Sequence, residues 1–440
     1  MKAIKLLLYS SLLVLSSSLS FAQSWHLLPN SPAQTFRHDD LYFINPDTGW
    51  VVNVSGQIWN TKDGGNTWKE LINQPCAFRC VGFFDSIHGC IGNLGPGNWA
   101  PTNDTNPIYY TNDGAKTLTL PVIIGPKPSG TCGLCVVNDT VIVASSRFDG
   151  PPFFMRSTDQ GKTFYSQRMN PWGAGMLIDT YFMTPDSGFV VGGTDSSENL
   201  SHSAIFFTAN GGLTWTKKIT GSVSGNHCWK ITHPSANVFY VSVEELYSNN
   251  TLRFFKSTDR GNTWKEEIIS TVPYGWSQGI GFVNDSEGWV GGNTYALHTK
   301  DSGKIWDTVK PSTLLVNLNR VRFLSDTLAY AVGQRVYKYY KSSTLGTETI
   351  SKLSGYSMSQ NAPNPFTRST TITYSIPVQQ SVSIVVFDDG GRLIKTLVNE
   401  VKAPGTYTVE FTMPQPCTFS FICSMLAGPY SKRIKMLSVQ

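Results

Sequence analysis

The sequence predicts an all-β chain, a seven-bladed β-propeller followed by a small Ig-like β-sandwich. Three observations predict this architecture: a phrase that returns at intervals of roughly four dozen residues, a second element that precedes it, and strand-like alternation after residue 359. The repeats do not have the period of an amphipathic helix. A repeat of this length without helical periodicity is typical of a propeller blade, which is one four-stranded sheet.

The repeated phrase first appears complete as TKDGGNTW, at residues 61–68. Its third residue is Asp or Asn, which can hydrogen-bond its own turn, and Gly two positions later accepts a positive φ. A Trp usually ends the phrase and opens the next strand, where an aromatic ring suits a half-buried pleat. We therefore expect the Asp to shape the corner and the Trp to hold the blade. These structural residues are Asp63, Trp68, Asp113, Asp159, Asn210, Trp215, Asp259, Trp264, Asp301 and Trp306.

The second element has the form Asp-x-Gly-Trp-Val, as at residues 47–51. Apolar alternation on both sides of such a turn predicts a β-hairpin. The chain holds seven copies of this element but only six of the phrase. Residues 25–28 resemble the strand that follows the phrase at 68–71. We therefore expect this N-terminal strand to complete the seventh blade and close the ring, which leaves no free sheet edge.

The two ends of the chain differ from the repeats. Lys2 and Lys5 precede an apolar run and a small-residue cleavage site at 20–22, which predicts a signal peptide. No later apolar run is long enough to cross a bilayer, so no transmembrane segment is expected. The predicted boundaries are a signal peptide at 1–22, the propeller at 23–341, a polar linker at 342–358 and a C-terminal module at 359–440.

Charge and histidine spacing narrow the classes of partner. The formal net charge is +5, but the signal peptide and the C-terminal module carry the excess, so the repeats are electrically balanced. A balanced surface argues against nucleic acid as the partner. The His residues do not fall at metal-ligand spacings and no Gly-rich stretch has the context of a phosphate loop, so we expect neither a metal nor a cofactor.

The cysteines have a different interpretation. Cys76 and Cys80 form a CxxxC pair and Cys132 and Cys135 form a CxxC pair in successive repeats. In an exported chain this predicts one or two disulfides between neighbouring loops, with a four-thiolate zinc site as the alternative. A separate disulfide is expected in the C-terminal module, between Cys417 and Cys423.

Candidate binding residues gather on one predicted end of the propeller. If the phrase joins the third and fourth strands of each blade, the turns of both repeated elements lie at the same end. The opposite end then carries loops rich in aromatic, arginine and carboxylate side chains, which are typical anchors of a recognition surface. We expect a protein or glycan partner to bind there. The candidates are Arg37, Arg79, Trp172, His227, Trp229, Tyr274, Trp276, Arg320 and Arg335.

The alternative hypotheses are a sialidase-like glycoside hydrolase and a structural or adhesive surface component. A sialidase needs three arginines that clamp a carboxylate, a Tyr nucleophile with a carboxylate partner, and an acid/base Asp. Residues 36–39 match only the first two positions of the Phe/Tyr-Arg-Ile-Pro signature of that family, so catalysis is the weaker hypothesis. Its candidates are Arg37, Arg79, Arg320, Tyr274, Glu244 and Asp39.

The repeated phrase resembles the Asp-box, or BNR repeat, of sialidases and many other propellers. The paired elements are similar to the repeats of YCF48-like photosystem assembly factors over residues 25–340. Both resemblances imply a propeller. They imply little about activity, because in those families the Asp-box (hereafter the box) lies away from the active site.

The C-terminal module resembles the type A sorting domain of the type IX (Por) secretion system of Bacteroidetes. The resemblance rests on PNPF, an Asp-x-x-Gly-Arg turn and a terminal Lys-Met, although CTFSF at 417–421 replaces the usual Gly-Val-Tyr-Phe. It implies the type IX machinery as a partner, and release or attachment at the outer cell surface. The motif residues are Pro363, Asn364, Pro365, Phe366, Gly391, Arg392, Lys435 and Met436.

Overall fold

A computed structural model describes residues 24–439 of this chain. The residues left out within that span are 36, 98–101, 246–250, 271–276, 293–294, 310–313, 341–354, 389–392, 414–417 and 428–429. The signal peptide expected at 1–22 lies outside the described residues. Within them, no helix is both long and apolar enough to cross a membrane.

The strands in residues 24–340 form seven separate, mainly antiparallel sheets, and each sheet is one blade of a β-propeller. Blade one contains β2 (Asp40–Phe43), β3 (Gly49–Val52), β4 (Gln57–Thr61) and β5 (Lys69–Asn73). Blade two contains β6 (Phe78–Phe83), β7 (Gly89–Asn93) and β8 (Ile108–Thr111). Blade three contains β9 (Val122–Ile124), β10 (Thr131–Val136), β11 (Ile142–Ser146), β12 (Phe153–Ser157) and β13 (Thr163–Arg168).

The remaining blades follow in chain order, after a short 3-10 turn at Asn170–Trp172. Blade four contains β14 (Met176–Phe182), β15 (Gly188–Gly193), β16 (His202–Thr208) and β17 (Thr216–Ser224). Blade five contains β18 (Asn226–Thr232), β19 (Phe239–Glu245), β20 (Leu252–Ser257) and β21 (Lys265–Ser270). Blade six contains β22 (Gly279–Phe282), β23 (Gly288–Gly291), β24 (Ala296–Thr299) and β25 (Asp307–Thr308). Blade seven contains β26 (Arg320–Ser325), β27 (Leu328–Val332), β28 (Val336–Tyr340) and β1 (Ser24–Leu27).

The ring is closed by the first strand of the described chain. β1 pairs antiparallel with β28, from Ser24 opposite Tyr340 to Leu27 opposite Tyr337. The innermost strands β2, β6, β10, β14, β18, β22 and β26 contact one another in that order, and β26 contacts β2. The predicted closure by the N-terminal strand is therefore confirmed, and the region that the seven innermost strands surround is called the channel.

Blades two and three depart from the expected four strands each. After its box, blade two keeps only an isolated bridge between Tyr110 and Thr119, and β9 pairs parallel with β13 as a fifth strand of blade three. The second box ends in Leu118 instead of Trp, and Pro121 follows it. Because proline cannot donate to a ladder, it separates the strand from its own blade.

An apolar core fills each space between neighbouring blades. Seven clusters of buried side chains alternate with the seven sheets around the ring. Aromatic stacks cross these spaces. The ring centroids of Trp50 and of Phe83 in the next blade are 3.6 Å apart, and those of Phe43 and of Tyr330 in the previous blade are 3.7 Å apart. Such ring pairs add about 0.5–1.5 kcal/mol to the free energy gained by burial alone.

The C-terminal module is a two-sheet sandwich. One sheet has the order β29-β30-β33 and the other β32-β31-β34-β35, around a shared core that includes Met358, Phe366 and Met436. Met358 lies in the segment predicted as linker, so the module begins before residue 359. The strands are β29 (Ser357–Met358), β30 (Ser369–Ile376), β31 (Gln380–Asp388), β32 (Leu393–Lys402), β33 (Gly405–Thr412), β34 (Phe419–Ala427) and β35 (Tyr430–Ser438).

Candidate functional site

The two ends of the propeller are distinguished by the boxes. Every box joins the third strand of its blade to the segment that follows, and its fourth residue donates a backbone hydrogen bond to the turn between the first two strands. Both repeated elements therefore lie at one end, as expected. The bonds run from Gly64 to Asp47 (2.8 Å), Gly114 to Ile87 (2.9 Å), Gln160 to Thr140 (3.0 Å), Gly211 to Asp186 (2.8 Å), Arg260 to Asn237 (2.9 Å) and Ser302 to Ser286 (2.8 Å).

Inside each box the Asp or Asn at the third position closes the turn on itself. Asp63 accepts hydrogen bonds from the Thr61 hydroxyl (2.9 Å), the Thr67 backbone N–H (2.9 Å) and the Thr67 hydroxyl (2.6 Å). The equivalent acceptors in the other boxes also bond the first residue and a backbone N–H near the seventh. They are Asp113, Asp159, Asn210, Asp259 and Asp301. The box oxygens are thus committed to the fold.

The box Trp joins its blade to the preceding one. Trp215 donates its indole N–H to the Gly212 carbonyl (2.9 Å) and packs edge-on against Phe154 of blade three. Trp68, Trp264 and Trp306 make the same indole bond to a box glycine, at 2.9–3.0 Å. Trp215 is buried, whereas the other three are partly exposed.

Bulges in four successive innermost strands turn side chains into the channel. The register shifts at Arg79 in β6, at Cys132 in β10, at Ile178 in β14 and at Trp229–Lys230 in β18. A bulge adds one residue to a strand and re-aims the side chains beside it. The bulged residues of four blades consequently meet at the centre of the ring.

The first polar group in the channel centres on the Asp39 carboxylate. Asp39 accepts hydrogen bonds from the guanidinium groups of Arg37 (3.3 Å) and Arg79, and from the Val54 backbone N–H (2.9 Å). Burial, and then the neighbouring Arg79 charge, lower the pKa of Arg37 to about 10. Both guanidinium groups also lie over the Trp229 ring, at 6.0 and 5.1 Å from its centroid.

A second charged group joins blades one, four and seven. Arg320 binds Asp179 with both terminal nitrogens (2.7 and 2.9 Å) and Asp40 through Nε (3.0 Å). Burial alone would lower the pKa of Arg320, but the two carboxylates raise it above the ordinary value. These charge-assisted bonds tie together blades that are not adjacent in sequence.

Trp229 fills the channel near the end opposite the boxes. It is 5% exposed, and its indole N–H donates to Asn319 Oδ1 at 2.9 Å. Its buried apolar neighbours come from blades two to four, and the partly buried Phe148 and Val54 pack against them. His227 bonds Glu244 at 2.8 Å, and Gln278 donates to the same carboxylate.

The structure brings together most of the residues predicted at this end. Arg37, Arg79, His227, Trp229 and Arg320 lie in or beside the channel, with Asp39 and Glu244 as their acidic partners. Arg79, His227, Trp229 and Arg320 are buried, so packing and ion pairing account for much of their environment.

Other predicted residues lie elsewhere. Trp172 sits on the 3-10 turn and packs against the core between blades three and four. Arg335 donates to the Pro29 carbonyl (2.9 Å) and to the Ser31 hydroxyl (3.3 Å) beside β1. Tyr274 and Trp276 lie outside the described residues.

Three channel residues were missed by the sequence analysis: Asp40, Asp179 and Lys230. Each sits on an innermost strand, and the last two interrupt apolar runs, MLIDTYF and NHCWKIT. A charged residue within such a run was the available signal, because buried charges are rare unless paired. Binding residues were predicted only in loops, so the side chains that the bulges direct inward were overlooked.

The predicted disulfides between repeats are not present, which corrects that expectation. The seven described cysteines are free and buried. Cys76, Cys80, Cys132 and Cys135 belong to four different apolar clusters, so similar spacing in sequence does not gather the four thiols into one site. Among the described residues no group of three or more His, Cys, Asp or Glu side chains could hold a metal. The pairing of Cys423 with Cys417 involves a residue outside the described ones.

Two motifs of the C-terminal module meet in space. Asn364 donates to the Lys435 carbonyl (3.2 Å) and accepts from the Leu437 N–H (2.8 Å), while the Phe366 N–H bonds the Leu437 carbonyl (2.9 Å). Phe366 and Met436 are buried, whereas Lys435 is exposed. The PNPF segment is thereby fixed along the last strand. Gly391 and Arg392 lie outside the described residues.

Comparisons with known proteins support the fold. No family model matches this sequence, and no curated protein matches it. Among solved structures, "YCF48 bound to D1 peptide" is similar with a TM-score of 0.52 and 16% identity, over 73% of this chain and 95% of that one. YCF48 from Cyanidioschyzon merolae has a TM-score of 0.53 and 14% identity, over 73% and 99%. At these identities the similarity shows a shared β-propeller fold.

Proposed function

We propose that this chain is an exported β-propeller that binds a protein or glycan partner through the end opposite the boxes. Its C-terminal module would direct it to type IX secretion, so that the protein is released or held at the outer cell surface. A protein partner is the better supported of the two, because one of the similar propellers, YCF48, is recorded bound to a peptide.

The observation that carries this proposal is the difference between the two ends. At the box end, the turns between the first two strands have almost the same length in blades one to six, and the boxes bond their own backbone. At the opposite end, the connections between the second and third strands vary widely. They run over 53–56, 94–107, 147–152, 194–201, 246–251, 292–295 and 333–335. Loops of unequal length on a rigid scaffold commonly carry recognition.

The chemistry at the channel mouth fits a recognition surface. Arg37 is 10% exposed above Trp229, and Phe148 is half-buried beside it. Arg147 joins two of the unequal loops, because it pairs with Asp149 and donates to the Pro96 carbonyl (2.9 Å). Aromatic and arginine side chains held rigidly in this way lose little conformational freedom when a partner binds.

A peptide library displayed on phage tests the proposal. We expect peptides selected on the full chain to lose more than tenfold in affinity when Arg37 and Phe148 are both changed to Ala. Lys62→Ala with Lys300→Ala is the matched control, because both side chains are exposed at the box end. Equal loss in the control, or no loss in the first variant, would contradict the assignment of the binding end. A glycan array distinguishes the second class of partner.

The geometry favours binding over sialidase chemistry. A substrate carboxylate would need three unengaged arginines, but Arg37 and Arg79 converge on Asp39, and Arg320 is held by Asp40 and Asp179. Glu244 is likewise engaged, by His227 and Gln278. Turnover of a fluorogenic sialoside by the purified chain would revive the enzymatic hypothesis, and absence of any discrete ligand would favour a purely structural or adhesive role.

Type IX export has its own test. The contact between the PNPF segment and β35 supports it, since both segments belong to the motif that resembles a type A sorting domain. We expect truncation after residue 354 to leave the propeller inside a type IX-competent host, while the full chain reaches the medium or the cell surface. Equal export of both forms would reject the assignment of the sorting module.

A further inference from the structure

The channel contains a buried cation, Lys230, without a hydrogen-bond partner among the described residues. The Lys230 side chain is 1% exposed, and its Nζ forms no hydrogen bond within the described part of the chain. An ammonium group removed from water without compensation is strongly disfavoured. The bulge that interrupts the pairing of β18 with β19 between Cys228 and Ile231 re-aims this side chain toward the channel. A buried ammonium group at the centre of the ring would be stabilised by a negative charge next to it.

Charged and thiol groups from five other innermost strands face Lys230. They are Asp40 of β2, Arg79 and Cys80 of β6, Cys132 of β10, Asp179 of β14 and Arg320 of β26.

The neighbouring carboxylates are already engaged. Asp179 accepts two bonds from Arg320 and one from the Ile231 backbone N–H (3.1 Å). Asp40 accepts from Arg320, from Arg322 (3.4 Å) and from the Val81 N–H (3.2 Å). Neither carboxylate accepts a hydrogen bond from Lys230, so the Lys230 ammonium group has no hydrogen-bonded counter-ion among the described residues.

A second donor is also without a partner. Arg79 gives one terminal nitrogen to Asp39, but its Nε is buried and has no hydrogen-bond acceptor among the described residues. The Cys132 thiol lies within the fields of both Arg79 and Lys230, and it is hydrogen-bonded to Arg79. The two unused donors thus border the same part of the channel.

We propose that the channel holds a small monovalent anion of the chloride type between Lys230 Nζ and the Arg79 guanidinium. The burial of both cations, and the Trp229 ring that lies 5.1 Å from the Arg79 guanidinium carbon, limit the site to an ion without bulky substituents. The ion would complete the charge pairing between blades two and five and hold the ring from inside. This inference is independent of the partner proposed for the mouth of the channel.

The site couples anion binding to pH. Burial, and next the Arg320 charge, lower the pKa of Lys230 to about 7. A bound anion favours the charged lysine, so affinity is highest below pH 7 and falls as the pH rises above it. Asp179 stays ionised across this range, because Arg320 and Lys230 hold its pKa below the ordinary value against the effect of burial.

Two experiments on the full chain test the site. In crystals soaked in bromide, we expect an anomalous peak between Lys230 Nζ and Arg79. In solution at constant ionic strength, replacing gluconate by chloride should raise Tm by about 4 °C at pH 6 once chloride exceeds its dissociation constant about 100-fold, and by less at pH 8.5.

Lys230→Met should abolish the chloride dependence of Tm. Lys338→Met is the matched control: this half-buried lysine lies in blade seven, where its ammonium donates to the Gly64 carbonyl at 3.2 Å. It should keep the full dependence. A channel that shows only water after bromide soaking, or a chloride response that persists in Lys230→Met, would overturn the proposal. The soak uses the unmodified chain, so it decides the question even if the variant does not fold.

Discussion

At the scale of single residues, the box separates two kinds of contribution. The Asp or Asn shapes a turn through hydrogen bonds near water, each worth about 1 kcal/mol net. The Trp buries apolar surface against the preceding blade, which contributes more because about 25 cal/mol is gained per Å² removed from water. The exposure of the Trp side chain differs between the copies of the box, so the copies contribute different amounts to the free energy of unfolding. Only Trp215 among the four box tryptophans is buried.

Trp215→Ala should lower the free energy of unfolding by about 3–5 kcal/mol, because its ring packs on both Phe154 and Phe182. Trp68→Ala should cost less, since its ring is partly exposed, and Asn210→Ala should cost about 1 kcal/mol. Urea denaturation of the three variants measures the ranking. Equal losses for Trp215→Ala and Asn210→Ala would show that the turn, and not the ring, holds the blade.

A pH dependence follows from the fifth box. Hydrogen bonds from Thr263 lower the pKa of Asp259 to about 2. A carboxylate whose pKa is lower in the folded state stabilises the fold above its ordinary pKa, and this contribution disappears as the pH falls from about 4 to about 2. The stability difference between the native chain and Asp259→Asn should therefore shrink in that window. Asn210→Asp, the reverse exchange, should create the same dependence, and a difference that is constant with pH would contradict the assignment.

At the scale of strands and turns, the Gly of the Asp-x-Gly element has a role that its sequence context did not suggest. It opens the second strand of the blade and lies under the ring of its cross-strand partner, as Gly188 does under Phe182. The same arrangement joins Gly49 to Phe43 and Gly288 to Phe282. The hairpin was predictable from the alternation. The ring-over-glycine contact was not, because the Phe precedes the turn and only the register aligns the two.

Gly188→Ala should destabilise the propeller by about 1–3 kcal/mol, because an added Cβ would lie 2.2 Å from a Phe182 ring atom in a closely packed core. Ser187→Ala, one residue earlier in the turn, should have little effect. Thermal unfolding compares the two. Adding Phe182→Leu to Gly188→Ala should recover part of the loss, and failure of this rescue would mean that the strain arises elsewhere.

At the scale of the whole molecule, the features that recur in every blade were predictable from the sequence, whereas the features that occur in a single blade were not. Box spacing, closure by the N-terminal strand and the separation of the two ends all follow from periodic positions. The exchange of β9 into blade three depends on a single proline, and the channel network depends on bulges at Arg79, Cys132, Ile178 and Trp229. Bulges have no sequence signature of their own, so the ion pairs between blades one, four and seven could not be predicted from the sequence.

Ring closure gives the last prediction. Trp25 on β1 is 3% exposed and packs against Trp289 of blade six and Tyr339 of blade seven. Trp25→Ala should therefore cost about 3–5 kcal/mol and broaden the urea transition, because the ring loses its join between first and last strands. His26→Ala, in the same strand but partly exposed, should change stability far less. If both variants unfold like the native chain, the disc is held by its interblade cores alone and β1 is dispensable.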